Sequence, residues 1–199
     1  ICHVSTGESV DLVRRAKAEG LPVTCETGAH YLAFCDADLQ EEGRFKMNPP
    51  LRSAADREAM LAGIADGTID CIASDHAPHS AEEKARGLEK SAMGVTGLEV
   101  SLPAAYTYAV LSRRISLPQL VRLMADNPRR IFGIAGGLNP GDRADVAIVD
   151  FDREFKVDSS SFLSMGKATP FDGLTLRGKV LFTVAAGEVV YEAPAEAES

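Results

Sequence analysis

The chain has 199 residues, 45% of them apolar and 25% charged, which is enough apolar material for one sizeable core. This composition excludes a disordered segment, a collagen-like fibre and a disulfide miniprotein, and no apolar run approaches the roughly 20 residues of a membrane helix. With 29 acidic against 21 basic residues the formal charge is −8, so nothing draws the chain at long range to nucleic acid or anionic lipid, although a local site can differ in sign from the whole.

Ile1-Cys2-His3-Val4-Ser5 reads as a buried strand with no initiator Met or charged leader, so the chain is expected to be the C-terminal part of something longer. Residues 8–19 follow as a helix, with Val10, Val13 and Ala16 three apart and Gly20 as its stop. Residues 22–27 form the next strand, and residues 45–48 a short one closed by Pro49-Pro50. A helix over 54–66 ends at Gly67, and 69–74 is a strand. The loop after it holds a short helix at 80–87, and further helices cover 98–112, 117–125 and 127–132. Strand and helix alternating through short connections predict parallel strands with right-handed crossovers. Four such units fit a doubly wound sheet or half of a (β/α)8 barrel. No G-x-G-x-x-G opens a helix, so the dinucleotide-binding version has no support.

Near residue 138 the texture changes. Residues 138–142 (LNPGD) are turn chemistry, and 144–150, 175–187 and 188–191 are β-rich runs with a hairpin turn at 185–189. The predicted organisation is therefore an α/β part over 1–137, a strand-rich part over 138–192 and an acidic tail over 193–199. Cys2, Cys25 and Cys71 lie in apolar runs, where a thiol packs well, and no CxxC pair occurs. A reducing, cytoplasmic compartment fits that usage.

The histidines carry the chemistry. His3, His30 and the group Asp75, His76 and His79 each fall at or just beyond the end of a predicted strand. In a parallel barrel those ends share one face. Two imidazoles and a carboxylate converging there would hold a divalent metal, zinc by default, and bring the pKa of a bound water to about 7. The plainer reading stands beside it: a lone His in an apolar strand is commonly a hydrogen-bonded core residue, and Asp75-His76 can be a cap and a turn. Asn48 before Pro49-Pro50 is held rigid, either to present amide groups to a planar ligand or as a strand terminator. Met93-Gly94 lies in a glycine-bearing stretch before a helix, open to close backbone approach or simply a loop. His79 is a cation for a substrate carboxylate or an exposed loop residue. Ser5, Thr6 and Ser74 have no adjacent base, so no serine nucleophile is expected.

Together, several strings resemble dihydroorotase of the larger bacterial type, a member of the amidohydrolase superfamily. They are His3-Val4-Ser5-Thr6, Val23-Thr24-Cys25-Glu26, KMNPPLR over 46–52, DHAPH over 75–79 with Glu82-Glu83-Lys84, Gly97-Leu98-Glu99 and Asn127-Pro128. The resemblance implies the second half of a (β/α)8 metal-dependent hydrolase barrel (TIM-like, strands five to eight), with part of a small β-sandwich. It implies one or two zinc ions and the reversible conversion of N-carbamoyl-L-aspartate to L-dihydroorotate in pyrimidine synthesis. Carried over by position, His3, His30 and Asp75 match metal ligands, and Asp75 also moves protons. Asn48, His79, Met93 and Gly94 match substrate contacts.

Two departures accompany it. Ala29-His30-Tyr31 stands where the family often has Pro-His-His. The family's His-x-His pair, its neighbouring arginine and an upstream bridging acid lie outside the chain, which is expected to be inactive without them. The resemblance also implies a homo-oligomer and a link to aspartate carbamoyltransferase. The alternatives are a non-catalytic scaffold subunit of that transferase, or another cyclic amidohydrolase such as a hydantoinase, dihydropyrimidinase or allantoinase.

Overall fold

A computed structural model describes residues 1–194, so all but the first two residues of the predicted 193–199 tail lie outside the described residues. The first helix, α1 (Gly7–Ala18), is capped by Thr6, whose hydroxyl accepts the Ser9 N–H at 3.2 Å. It buries Val10 and Val13 against α3 (Ala54–Asp66), which supplies Met60, Leu61 and Ile64. Gly67 ends α3 in the left-handed conformation, φ 83°, as a C-cap glycine does.

Between these helices β1 (Glu26–Gly28) pairs in parallel with β2 (Cys71–Ala73), Thr27 opposite Ile72. The predicted strand at the start of the chain is not a regular ladder. Val4 N–H donates to Glu26 O at 2.9 Å and Glu26 N–H to Ile1 O at 3.1 Å, one residue too many for straight parallel pairing. The surplus is a bulge at Cys2–His3, where His3 takes φ 56°. Cys2 in this bulge is exposed, while Cys25, Cys35 and Cys71 are buried.

The predicted strand at 45–48 is a correction. Gly43–Phe45 is a 3-10 turn, and β1 pairs directly with β2 rather than with this segment. Two successive prolines without N–H donors cannot sustain a central ladder there. Beyond β2, within the predicted loop, His76 bridges Val95 in parallel.

The helices expected at 80–87, 98–112, 117–125 and 127–132 are present as α4 (Ala81–Lys84), α6 (Ser101–Ala105), α7 (Leu117–Val121) and α8 (Asn127–Phe132), and two short ones the pattern did not predict, α2 (Ala29–Ala33) and α5 (Gly87–Lys90), join them. Wider π-helical turns extend α6 over Tyr106–Val110 and join α7 to α8 over Arg122–Asp126. No described helix is long and apolar enough to cross a membrane.

The strand-rich part is one antiparallel sheet of β3 (Val146–Lys156), β4 (Thr175–Ala185) and β5 (Glu188–Glu192). Ala186 and Gly187, at φ 52° and 87°, make the tight turn of the predicted hairpin. Its apolar face merges with the main core. Leu176, Phe171 and Val157 are fully buried in the same cluster as α6, and Tyr106 packs on Phe151 with ring centroids 4.6 Å apart.

Candidate metal and substrate site

Three of the residues singled out in the sequence meet at the ends of the parallel strands. His3 Nε2 lies 3.7 Å from Asp75 Oδ1, and His30 Nε2 lies 3.6 Å from Asp75 Oδ2. Both separations exceed a hydrogen bond. They are close to the ~3.4 Å expected between two ligands each about 2.1 Å from a tetrahedral ion.

Local backbone aims these groups. His3 and Asp75 both hold positive φ, 56° and 45°, and are two of four non-glycine residues that do so among those described. Such a conformation costs energy in an L-residue and persists where the surroundings impose it. His30 is the second residue of α2, whose N-cap is Gly28. A Cβ at Gly28 would stand 2.7 Å from His30 Cε1, so only glycine leaves room for the ring.

The electrostatics suit metal ligation. His30 is buried and its Nε2 has no hydrogen-bond partner. Burial, with nearby His3 adding to it, pushes its pKa down to about 3, which keeps the ring in the neutral, ligating form. Burial raises the Asp75 carboxyl, against an opposing pull from His3. Glu26 stands behind His3: its Oε1 accepts the His3 N–H at 2.6 Å and lies 2.9 Å from Nδ1, though without the alignment of a hydrogen bond. A carboxylate in that place fixes ring orientation. The donor set therefore fits a divalent ion, zinc by ligand type. It is a partial set. Among the described residues no three His, Cys, Asp or Glu side chains close around one point, and the chain contains no His-x-His pair.

His76 is not part of the cluster. Its Nδ1 accepts the N–H groups of Gly97 and Leu98 at 3.3 and 3.2 Å, capping the turn before α6. The substrate-side candidates form a second group. His79 Nε2 lies 2.9 Å from Met93 O, which makes that nitrogen the proton carrier. Gly94, at φ 142°, is held so close to Ala77 that a Cβ would meet Ala77 O at 2.5 Å. Asn48 is exposed, and no hydrogen bond to its side chain is present among the described residues.

Tyr31 was not singled out as a site residue in the sequence. Tyr31 packs on His30, centroids 4.1 Å apart, and donates its hydroxyl to Pro49 O at 2.6 Å. It thereby ties the Asn48 segment to a metal-ligand candidate. The replacement of the family's second His by Tyr31 was the one visible signal.

A parallel strand pair flanked by helices, with imidazoles and a carboxylate near its strand ends, is compatible with part of an α/β-barrel hydrolase, and the comparisons with known proteins place it there. The chain belongs to the amidohydrolase family, which it matches over residues 1–190. It is 47% identical to a dihydroorotase of Lactobacillus gasseri and 45% identical to one of Bacillus cytotoxicus, in each case over 96% of this chain. It covers 46% and 45% of those proteins, so it spans less than half the length of the curated relatives it matches. Among solved structures, the L-hydantoinase of Arthrobacter aurescens superposes with a TM-score of 0.88 at 37% identity, over 96% of this chain and 44% of that one. The dihydropyrimidinase of Brevibacillus agri gives 0.88 at 23% identity over the same shares, a likeness of fold alone.

Proposed function

We propose that this chain supplies the His3, His30 and Asp75 side of a zinc-dependent dihydroorotase, which interconverts L-dihydroorotate and N-carbamoyl-L-aspartate. The observation that carries the reading is the 44–47% identity to dihydroorotases, over a stretch of this chain that contains all three residues. A bound ion would polarise the ring carbonyl and acidify a water. Asp75 then takes a proton from the water and returns it to the ring nitrogen as the C–N bond breaks, base first and acid second. In this reading a protonated His79 would hold the substrate's carboxylate from Nδ1 by a charge-assisted hydrogen bond. Its Nδ1 faces Glu83 at 3.6 Å, while Nε2 is engaged by Met93 O. Asn48 and the backbone of Met93–Gly94 complete the substrate side.

The antiparallel sheet belongs in this reading to a small β-sandwich. The protein would act on a small molecule, self-associate and work in the cytoplasm, with aspartate carbamoyltransferase as the partner to seek by co-purification. Hydantoinase activity is a second reading, favoured by the 37% identity and close superposition with the Arthrobacter enzyme. The test is to co-produce the chain with the part of the Lactobacillus gasseri enzyme that it does not match, load zinc, and compare turnover of dihydroorotate, hydantoin and dihydrouracil. Dihydroorotate should be the preferred substrate. Preference for hydantoin or dihydrouracil would overturn the reading, and zinc binding without any turnover would favour the scaffold.

A further inference from the structure

Lys84 closes α4, is 7% exposed, and has carbonyl oxygens as its three hydrogen-bond partners. Its ammonium donates to Lys46 O at 3.0 Å, Ala92 O at 2.8 Å and Gly94 O at 2.7 Å. Those are as many acceptors as an ammonium has hydrogens. The acceptors come from two segments remote in sequence, the one leading into Asn48 and the one holding Met93.

The surrounding bonds reinforce this junction. Gly94 N–H donates to Lys46 O at 3.0 Å and Ala92 N–H to Glu83 O at 3.3 Å. Ser91 Oγ donates to Lys84 O at 3.0 Å, and Gly43 packs so tightly on Lys84 O and Ser91 that no side chain fits there. His79 takes Met93 O. Among the described residues this leaves one backbone polar group of 92–94 without a partner, the N–H of Met93. Met93 itself is 58% exposed.

We propose that Lys84 is a positioning residue: its ammonium clasps the 46–48 and 92–94 segments together, so that the Met93 N–H and Asn48 face one ligand at a fixed separation. The ligand is a cyclic, amide-bearing acid, and this step rests on the dihydroorotase reading above. A buried ammonium suits the task because it saturates three carbonyls at once, leaving an amide donor as the free group. A side chain without donors would strand those carbonyls and leave the Gly94 N–H to Lys46 O bond to hold the two segments together.

The experiment compares Lys84→Met with wild type and with Ser91→Ala, which loosens the same packing while keeping the ammonium. In the full chain, amide hydrogen exchange at Gly94 should accelerate about tenfold or more in Lys84→Met, with Cys71–Ala73 still protected as in wild type. In the zinc-loaded, co-produced enzyme, KM for dihydroorotate should rise about tenfold or more, with kcat changed by less than about threefold and zinc content unchanged. Ser91→Ala should keep the wild-type KM. If Lys84→Met does not fold, Lys84→Gln, which keeps two donors, carries the same readouts and should be intermediate. Wild-type exchange at Gly94 with wild-type KM overturns the clasp. So does a uniform rise in exchange that includes Cys71–Ala73 with KM unmoved, which would make Lys84 purely structural. Absent dihydroorotate turnover by the wild-type enzyme would instead count against the dihydroorotase reading, and the exchange comparison still decides the clasp.

Discussion

The Nε2 of His30 lies buried 3.6 Å from Oδ2 of Asp75 and has no hydrogen-bond partner. An orphaned buried nitrogen facing a carboxylate beyond hydrogen-bond reach is costly unless something is meant to stand between them. Removing either group should weaken zinc binding more than the 10–100-fold typical of an outer-sphere change. Equilibrium dialysis of zinc against wild type, His30→Ala and Asp75→Asn, with circular dichroism to show that each folds, measures this directly. Wild-type affinity in both variants would remove these residues from the metal site. In the assembled enzyme Asp75→Asn should also cut kcat by at least about 10²–10⁴-fold, because a proton shuttle goes with the ligand.

Glu26 should act on zinc through His3. Its carboxylate touches both the backbone N–H and the Nδ1 side of that residue. Glu26→Gln keeps the size and drops the charge, so zinc affinity is expected to fall about tenfold, near the lower end of the range for carboxylates behind a ligating imidazole. Because Glu26 also lies in β1, thermal melting of the zinc-free chain serves as control. A lowered melting point with unchanged zinc affinity would leave Glu26 a purely structural residue.

His79→Ala should behave differently from Asp75→Asn. The ring touches Met93 O and faces Glu83, and it makes no contact with the His3–His30–Asp75 cluster among the bonds and ion pairs described. Its loss should raise KM for dihydroorotate about tenfold or more while zinc content holds, as expected when a charged hydrogen bond to substrate disappears. A fall in kcat with KM unchanged would place His79 in the chemistry instead.

Periodicity and capping made the helices legible. α3 runs over the predicted 54–66 and ends at Gly67, and the hairpin turn at Ala186-Gly187 follows from its residue types. The candidate ligands were legible because each ends a strand-like run. What stayed hidden depends on the folded backbone. The bulge that turns His3 toward Asp75 adds one residue to a pairing whose partner lies more than twenty residues away. The 45–48 segment has the apolar texture of a strand, yet its pairing is blocked by the prolines that follow it. Lys84 enters the sequence reading as part of the Glu82-Glu83-Lys84 string, with nothing to mark it as buried. Its burial comes from carbonyls that only the fold gathers.

Asp56 gives the acid-stability behaviour. Its Oδ2 accepts the Ser53 hydroxyl at 2.6 Å and the Ser53 N–H at 3.2 Å, and its Oδ1 accepts the Gly7 N–H at 2.8 Å, so one carboxylate caps α3 and fastens the start of α1. The Ser53 hydroxyl, then the Gly7 amide, hold its pKa below the ordinary carboxylate value. A carboxyl depressed in the folded state contributes stability that is present in full above its unfolded pKa, about 3.9, and drains away as pH falls through the folded value. Asp56→Asn should therefore lower stability near neutral pH by about 1 kcal/mol, the usual size of a lost cap. The gap between variant and wild type should narrow as pH drops below about 4, because protonated Asp56 has already given up the same interaction. Urea unfolding of both chains across that range gives the measurement. An equal gap at pH 7 and pH 3 would mean that Asp56 contributes through packing rather than through its charge.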